Sequence, residues 1–216
     1  MKSFFDPDRL WPAGERVLQL YVLPDLHRDR QLGELTARCR EVLTGFPATD
    51  RPIPAEWLHV TIQPINHGIY EPLDDGTRQR LIDELAAAFA IMPAFQTLVG
   101  SPLAYPTGAI LDLADDAAFD NLIERARKVV TAVCGPEAAG FDTRPAHMTL
   151  AYAHGEQDTG QVARALRRGV RPSHAPMTVD AVHLVEVEQV PEQCVYRWTP
   201  VQRFPLAAAE NEGIEA

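Results

Sequence analysis

The chain has 216 residues, 46% of them hydrophobic, enough to bury one core as a single large domain or as two small lobes sharing it. With 30 acidic against 20 basic side chains and a formal net charge of −10, broad binding to duplex DNA is not expected, since that affinity comes from neutralising many phosphates; one phosphate in a local pocket remains open. No apolar run is long enough to span a bilayer, and the segment from Met1 to Arg16 has charges and prolines where a signal peptide has its apolar stretch, so a cytoplasmic protein without a membrane partner is expected.

Taken in chain order, residues 1–15 read as an N-terminal extension, and Arg16 to Pro24 alternates as a strand closed by proline. Leu32, Leu35, Cys39 and Val42 recur at helical spacing, ending near Gly45 and Pro47. The run "EWLHVTIQPI" (Glu56 to Ile65) predicts a second strand. Leu81, Ile82, Leu85 and Phe89 share a face of a helix that Pro93 stops. "FQTLVG" and "GAILDLA" predict two strands separated by a turn over "SPLAYPTG". A long helix follows, with Phe119, Leu122, Ile123, Ala126, Val130 and Val133 as its buried stripe, Asp115 or Asp116 as N-cap and Gly135-Pro136 as stop. "RPAHMTLAYA" (Arg144 to Ala153) predicts a strand, "DTGQVARALRRG" a short helix, and "MTVDAVHLVEVEQV" with "CVYRWTPVQRFPL" a final strand pair. The tail, residues 207–216, reads as frayed, leaving 16–206 as the domain.

The order strand, helix, His-x-Thr strand thus occurs twice, with His147 following His59 by 88 positions. Two similar α/β lobes related by an approximate two-fold would bring the two His strands together. Strand alternation predicts that His59, Thr61 and Gln63 share one face. By the same rule His147 and Thr149 stand beside Ala151, while Ala146, Met148, Leu150 and Tyr152 face the helices. Each strand then presents an imidazole and a hydroxyl from a rigid backing. Two imidazoles that titrate near pH ~6.5 can take one proton and give another, and threonine hydroxyls can donate to phosphate oxygens. In-line displacement at phosphorus places the attacking and leaving oxygens on opposite sides, as two opposed histidines would serve. A single strand histidine is most often structural; its repetition in an equivalent unit shifts the balance to function. Truncation of either histidine is expected to leave no buried void.

At these residues, "LHVTI" and "AHMTL", the chain resembles the two-histidine phosphoesterase superfamily, and within it the bacterial 2′-5′ RNA ligases or RNA 2′,3′-cyclic phosphodiesterases, whose mark is two H-x-[ST] motifs. The resemblance spans roughly Arg16 to Phe204 in element order and is specific only at the motifs; "QPI" follows the first motif where the bacterial ligase group commonly has an apolar residue with Leu-Gly. It implies an α+β fold of two pseudo-symmetric lobes, each an antiparallel sheet with helices packed outside, around a central cleft. It implies a metal-independent phosphodiesterase acting on 2′,3′-cyclic phosphate ends or 2′-5′ linkages of RNA or nucleotides, with no cofactor. His59 and His147 carry over as the acid and base, His59 as acid and His147 as base, and Thr61 and Thr149 as phosphate-binding residues. Arg144 is a further phosphate-binding candidate, and Tyr21 and Tyr152 candidates for stacking on a base. The expected partner is an RNA end or small nucleotide, met by a monomer.

Other chemistries lack parts. Ser3, Ser101 and Ser173 are the only serines and none lies in G-x-S-x-G. Cys39, Cys134 and Cys194 are odd in number, without C-x-x-C, and read as small buried side chains. No metal site is expected, since the motifs add only hydroxyls to the histidines. Lys2 and Lys128 are the only lysines, and no phosphate-loop motif supports ATP-driven ligation. The alternative from another class is a non-catalytic nucleotide or RNA-end binding protein of the same fold. His27, His67, His154, His174 and His183 lack the repeated context and read as surface or structural.

Overall fold

The computed structural model describes residues 1–65, 72–114 and 116–208. Its strands are β1 (Arg16–Val22), β2 (Val60–Pro64), β3 (Phe95–Tyr105), β4 (Gly108–Leu113), β5 (His147–Tyr152), β6 (Ala175–Val179), β7 (Ala181–Val190) and β8 (Val195–Pro205). The helices are α1 (Arg30–Leu43), α2 (Asp75–Ala90), α3 (Asp116–Cys134) and α4 (Thr159–Gly169).

All eight strands join one antiparallel sheet in the order β6-β3-β4-β5-β2-β1-β7-β8. The two expected lobes are its two halves: β2, β1, β7 and β8 in the first, β5, β4, β3 and β6 in the second. They meet through a single residue pair, Val60 opposite Met148. Each of these residues directly follows a motif histidine, so the pseudo-two-fold axis passes between the two motifs. The connecting helices cross over. α1, which leaves β1 of the first half, packs on β5, β6 and α4 of the second, while α3, which leaves β4 of the second, packs on β2 and α2 of the first.

The apolar stripes read from the sequence form the core between sheet and helices. Leu32, Leu35 and Cys39 on α1, Leu81, Leu85 and Phe89 on α2, and Phe119, Leu122, Ile123, Ala126 and Val130 on α3 are buried there. Asp74 and Asp158 cap α2 and α4 by accepting backbone N–H bonds, each worth about 1 kcal/mol. Asp116 is the first residue of α3, and Asp115 lies outside the described residues. Among the described residues, no helix is long and apolar enough to cross a membrane.

Three expectations are corrected. The turn expected over Ser101 to Gly108 is mostly strand: β3 runs to Tyr105, because the register shifts between Val99 and Pro102, letting the chain absorb a proline and continue. Gly100 makes this passage at φ +132, where a Cβ would lie 2.1 Å from the Ser173 carbonyl oxygen. Next, "MTVDAVHLVEVEQV" is two strands, not one. It breaks at Asp180, sending β6 to the edge of the second half and β7 into the first. Finally, the tail does not fray from residue 207: Ala207 donates to the Met92 carbonyl and accepts from the Ala94 N–H. Residues 209–216, the rest of that expectation, lie outside the described residues, as does His67.

Candidate active site

Because β2 and β5 run antiparallel with Val60 opposite Met148, one step in either direction sets His59 opposite Thr149 and Thr61 opposite His147. The four side chains share the face of the sheet away from the helices and form the corners of a square. Its histidines are diagonal neighbours, a relation that sets residues roughly 7–8 Å apart in antiparallel sheets, with both rings on the same face. His59 feels the charge of His147 across the sheet.

Both rings are held alike. His59 Nδ1 lies 2.9 Å from the Trp57 carbonyl oxygen and His147 Nδ1 lies 3.0 Å from that of Pro145. A carbonyl only accepts, so Nδ1 carries a hydrogen in each ring, and Nε2 is the atom offered to a substrate.

Their surroundings differ. His59 is 6% exposed. Its ring stacks on Tyr21 at 4.1 Å and 14° and meets the edge of Trp198 at 5.1 Å, with Trp57 against Trp198 in turn. Burial pushes its pKa down from 6.5 to about 4; the Trp57 carbonyl opposes this and the charge of His147 adds to it. The expectation that neither histidine leaves a void fails here, since removing His59 would empty a packed aromatic nest. His147 is exposed, and β4 sets exposed Asp112 directly opposite it.

Both His strands carry a register irregularity just past the threonine. Tyr21 pairs with Thr61 and Leu20 with Gln63, so Ile62 is skipped; Ile110 pairs with Thr149 and Ala109 with Ala151, so Leu150 is skipped. One extra residue reverses the facing of all that follows. Gln63 and Ala151 therefore turn to the helix side, contrary to the simple alternation. Gln63 is fully buried, donating to the carbonyls of Pro64 and Phe141 and accepting from Arg127 of α3. Tyr152 turns the other way, off the helix face, and comes within hydrogen-bonding reach of Thr149, as Tyr21 does of Thr61. Gly108 permits the close passage of β4, since a Cβ there would lie 2.2 Å from the Ala151 carbonyl oxygen.

The two tyrosines consequently do not offer free ring faces to a base. Tyr21 is covered by His59, and Tyr152 by Phe4 at 4.3 Å. Burial raises the pKa of each phenol, with Tyr152 and Tyr196 adding to the rise at Tyr21 and Tyr196 to that at Tyr152. Both are thus O–H donors near neutral pH, placed behind the threonine hydroxyls. Arg144 is exposed and clamped by its own neighbour, donating from Nε to Asp142 Oδ1 at 2.9 Å and from Nη2 to Oδ2 at 2.6 Å. It lines a groove of about 590 Å³ against Arg127, Lys128 and Thr131 of α3. The Arg144 side chain and backbone N–H hold Asp142 down to about 2. This pairing, and not the motif, occupies the guanidinium.

Sequence reasoning missed the aromatic wall. Trp57 ends a 3-10 helix two residues before His59, and an aromatic so near the motif was the available signal. Trp198 and Tyr196 were hidden in a strand assigned only to the sheet. Of the remaining histidines, His154 pairs with Asp50 at 2.8 Å and His174 with Ser173 at 3.0 Å, away from the motif. The three cysteines are free; Cys39 and Cys194 are buried and Cys134 is half-buried. Among the described residues, no group of three or more His, Cys, Asp and Glu side chains is arranged to hold a metal ion.

No protein-family model and no curated protein matches the chain by sequence. Solved structures do match in three dimensions. TT0787 of Thermus thermophilus aligns with a TM-score of 0.67 at 16% identity, covering 89% of this chain and 98% of its own. Escherichia coli LigT in complex with 3′-AMP aligns with a TM-score of 0.60 at 15% identity, covering 89% and 98%. This chain has the LigT fold. A phosphoesterase structure aligns equally well, with a TM-score of 0.60 at 14% identity and coverage of 89% and 99%. LigT has also been crystallised with ATP, NADP+ and phosphate. The shared fold thus accounts for nearly the whole length of these neighbours.

Proposed function

We propose that the protein is a phosphodiesterase of the two-histidine type, acting on 2′,3′-cyclic phosphates or 2′-5′ linkages of nucleotides or RNA ends. The observation that carries this reading is the square of His59, Thr149, Thr61 and His147, with both imidazoles tethered through Nδ1 and offering Nε2 on the same face of the sheet. The nucleotide and phosphate complexes of LigT, which has the same fold, support it.

In the proposed mechanism the phosphate lies between the histidines. Each tyrosine O–H donates to the threonine oxygen in front of it, so the threonine hydrogen is directed at a non-bridging phosphate oxygen. Tyr21 and Tyr152 thereby act as positioning residues, and Thr61 and Thr149 stabilise the charge that builds on phosphorus. One imidazole takes a proton from the attacking water as the P–O bond forms, and the other gives a proton to the leaving ribose oxygen as its bond to phosphorus breaks.

Burial favours a definite division of these roles. His59, held neutral by its aromatic nest, arrives as a proton acceptor. The residue that must arrive carrying a proton is better served where water solvates the charge, at exposed His147. This reverses the assignment implied by the family resemblance.

The deciding experiment is turnover of a nucleoside 2′,3′-cyclic phosphate in the presence of a chelator. Hydrolysis by wild type, lost in both His59→Ala and His147→Ala, is the expected result. Tight nucleotide binding without turnover would instead make the protein a nucleotide-binding relative of the same fold.

A further inference from the structure

Residues 2–11 do not extend away from the sheet; they cross from one half to the other. Lys2 N–H donates to the Pro106 carbonyl in the β3–β4 turn, and Phe4 N–H to that of Ala153 at the end of β5, both in the second half. Further on, Trp11 N–H donates to Gln189 Oε1 on β7, in the first half. Between these anchors Phe4 and Phe5 pack on each other at 5.1 Å and on Tyr152 at 4.3 and 5.3 Å. Phe5 and Trp11 lie 5.7 and 5.4 Å from Tyr196. Tyr196 in turn is 5.5 Å from Tyr152, whose hydroxyl backs Thr149.

The strap therefore seats its aromatic rings on the residue behind one corner of the site, and closes that end of the concave face. On the His59 side Tyr21, Trp57 and Trp198 complete the wall. The strap does not cover the middle of β4 and β3 beside His147. There the sheet presents exposed Asp112, Leu103 and Leu98, with Leu103 38% and Leu98 47% exposed, around buried Ile110.

We infer that Phe4, Phe5 and Trp11 are specificity-determining residues: the strap blocks one exit of the cleft, so a phosphate between the histidines can have polynucleotide chain on the His147 side only. The inference rests on the phosphodiesterase reading and narrows its substrate class to terminal groups, excluding linkages flanked by nucleotides on both sides.

The test compares a nucleoside 2′,3′-cyclic monophosphate with a tetranucleotide carrying one central 2′-5′ linkage, by kcat/KM. A parallel calorimetric arm compares binding of 3′-AMP with that of the same tetranucleotide bearing a non-hydrolysable central phosphorothioate. Wild type should discriminate against the tetranucleotide by at least about 10²-fold in both arms, and Phe4→Ser/Phe5→Ser should narrow that ratio by at least about tenfold. Wild type that accepts both ligands equally overturns the inference, whether or not the variant folds. An unchanged ratio in a folded variant also overturns it, while retained cyclic-phosphate hydrolysis leaves the phosphodiesterase reading standing. Absence of turnover with 3′-AMP still bound removes that reading alone, and the binding ratio then decides the role of the strap.

Discussion

His59 and His147 make the same hydrogen bond to a carbonyl two residues back, yet one is enclosed by Tyr21 and Trp198 while the other stands in solvent opposite Asp112. The comparison separates what the pseudo-two-fold supplies from what it cannot. Symmetry places two equivalent imidazoles around one phosphate. It cannot decide which gives the proton and which takes it, because identical groups titrate identically. The packing on either side breaks the tie, with an aromatic wall in one half and an open aliphatic shelf in the other.

The comparison is broken most severely by truncation. His59→Ala and His147→Ala should each lower kcat/KM by roughly 10²-fold to 10⁴-fold, the range for losing a general acid or base. Stability should separate them. His59→Ala opens a buried hole and should cost about 1 to 3 kcal/mol in urea denaturation, whereas exposed His147→Ala should stay within about 0.5 kcal/mol. An aryl phosphodiester whose leaving group departs unprotonated sharpens the contrast further: it should restore much of the activity of His147→Ala and little of that of His59→Ala. The opposite rescue pattern would exchange the roles.

The pH dependence of stability probes the enclosed half alone. His59 titrates at about 4 in the folded state, below the ~6.5 of an unfolded histidine, so the unfolded chain takes up the proton first. Its contribution is intact above pH ~6.5 and is lost as pH falls towards 4, by an amount on the order of 3 kcal/mol. Replacing His59 by Gln should remove this part of the acid sensitivity. Equal acid destabilisation of wild type and His59→Gln between pH 7 and 4.5 would contradict burial of a neutral ring.

Smaller effects are expected at the other two corners. Thr61→Val and Thr149→Val should each cost about 1.5 to 3 kcal/mol in kcat/KM, as for a hydrogen bond to a charged group. An anion soaked into crystals that contacted neither hydroxyl would remove the basis for that figure. Tyr21→Phe and Tyr152→Phe keep the rings but delete the donors behind the threonines, and should cost about 0.5 to 1.5 kcal/mol. Loss of the Tyr152 effect in a Thr149→Val background, read as a double-mutant cycle, would show that the phenol acts through the hydroxyl.

The motif residues were legible because they precede the irregularities in their strands. Alternation holds from His59 to Thr61 and from His147 to Thr149, and fails at Ile62 and Leu150, where no glycine or local composition betrays the extra residue. Gln63, Ala151 and Tyr152 were misfaced for that reason alone. The break at Asp180 was equally silent, because both sides of it are good strand and only the sheet order reveals that they part. Arg144 erred differently. Its partner Asp142 is two residues away in sequence, and this local ion pair takes the guanidinium that proximity to the motif suggested for phosphate. The strap escaped notice because Phe4, Phe5 and Trp11 have no periodicity; their meaning lies in Tyr152 and Tyr196, far along the chain.

The crossover of α1 has a consequence for how the chain emerges during synthesis. The apolar stripe of α1, Leu32, Leu35, Cys39 and Leu43, is complete within the first fifth of the polypeptide, but the surfaces that cover it, β5, β6 and α4, begin only at His147. For more than a hundred residues of elongation that helix has no native place to dock, since every element that finally receives it lies over a hundred residues further along the chain. Such topology slows folding and leaves apolar surface exposed while it waits. The nascent protein is therefore committed to folding late and as one piece, with its N-terminal elements unable to settle until the C-terminal ones have been made.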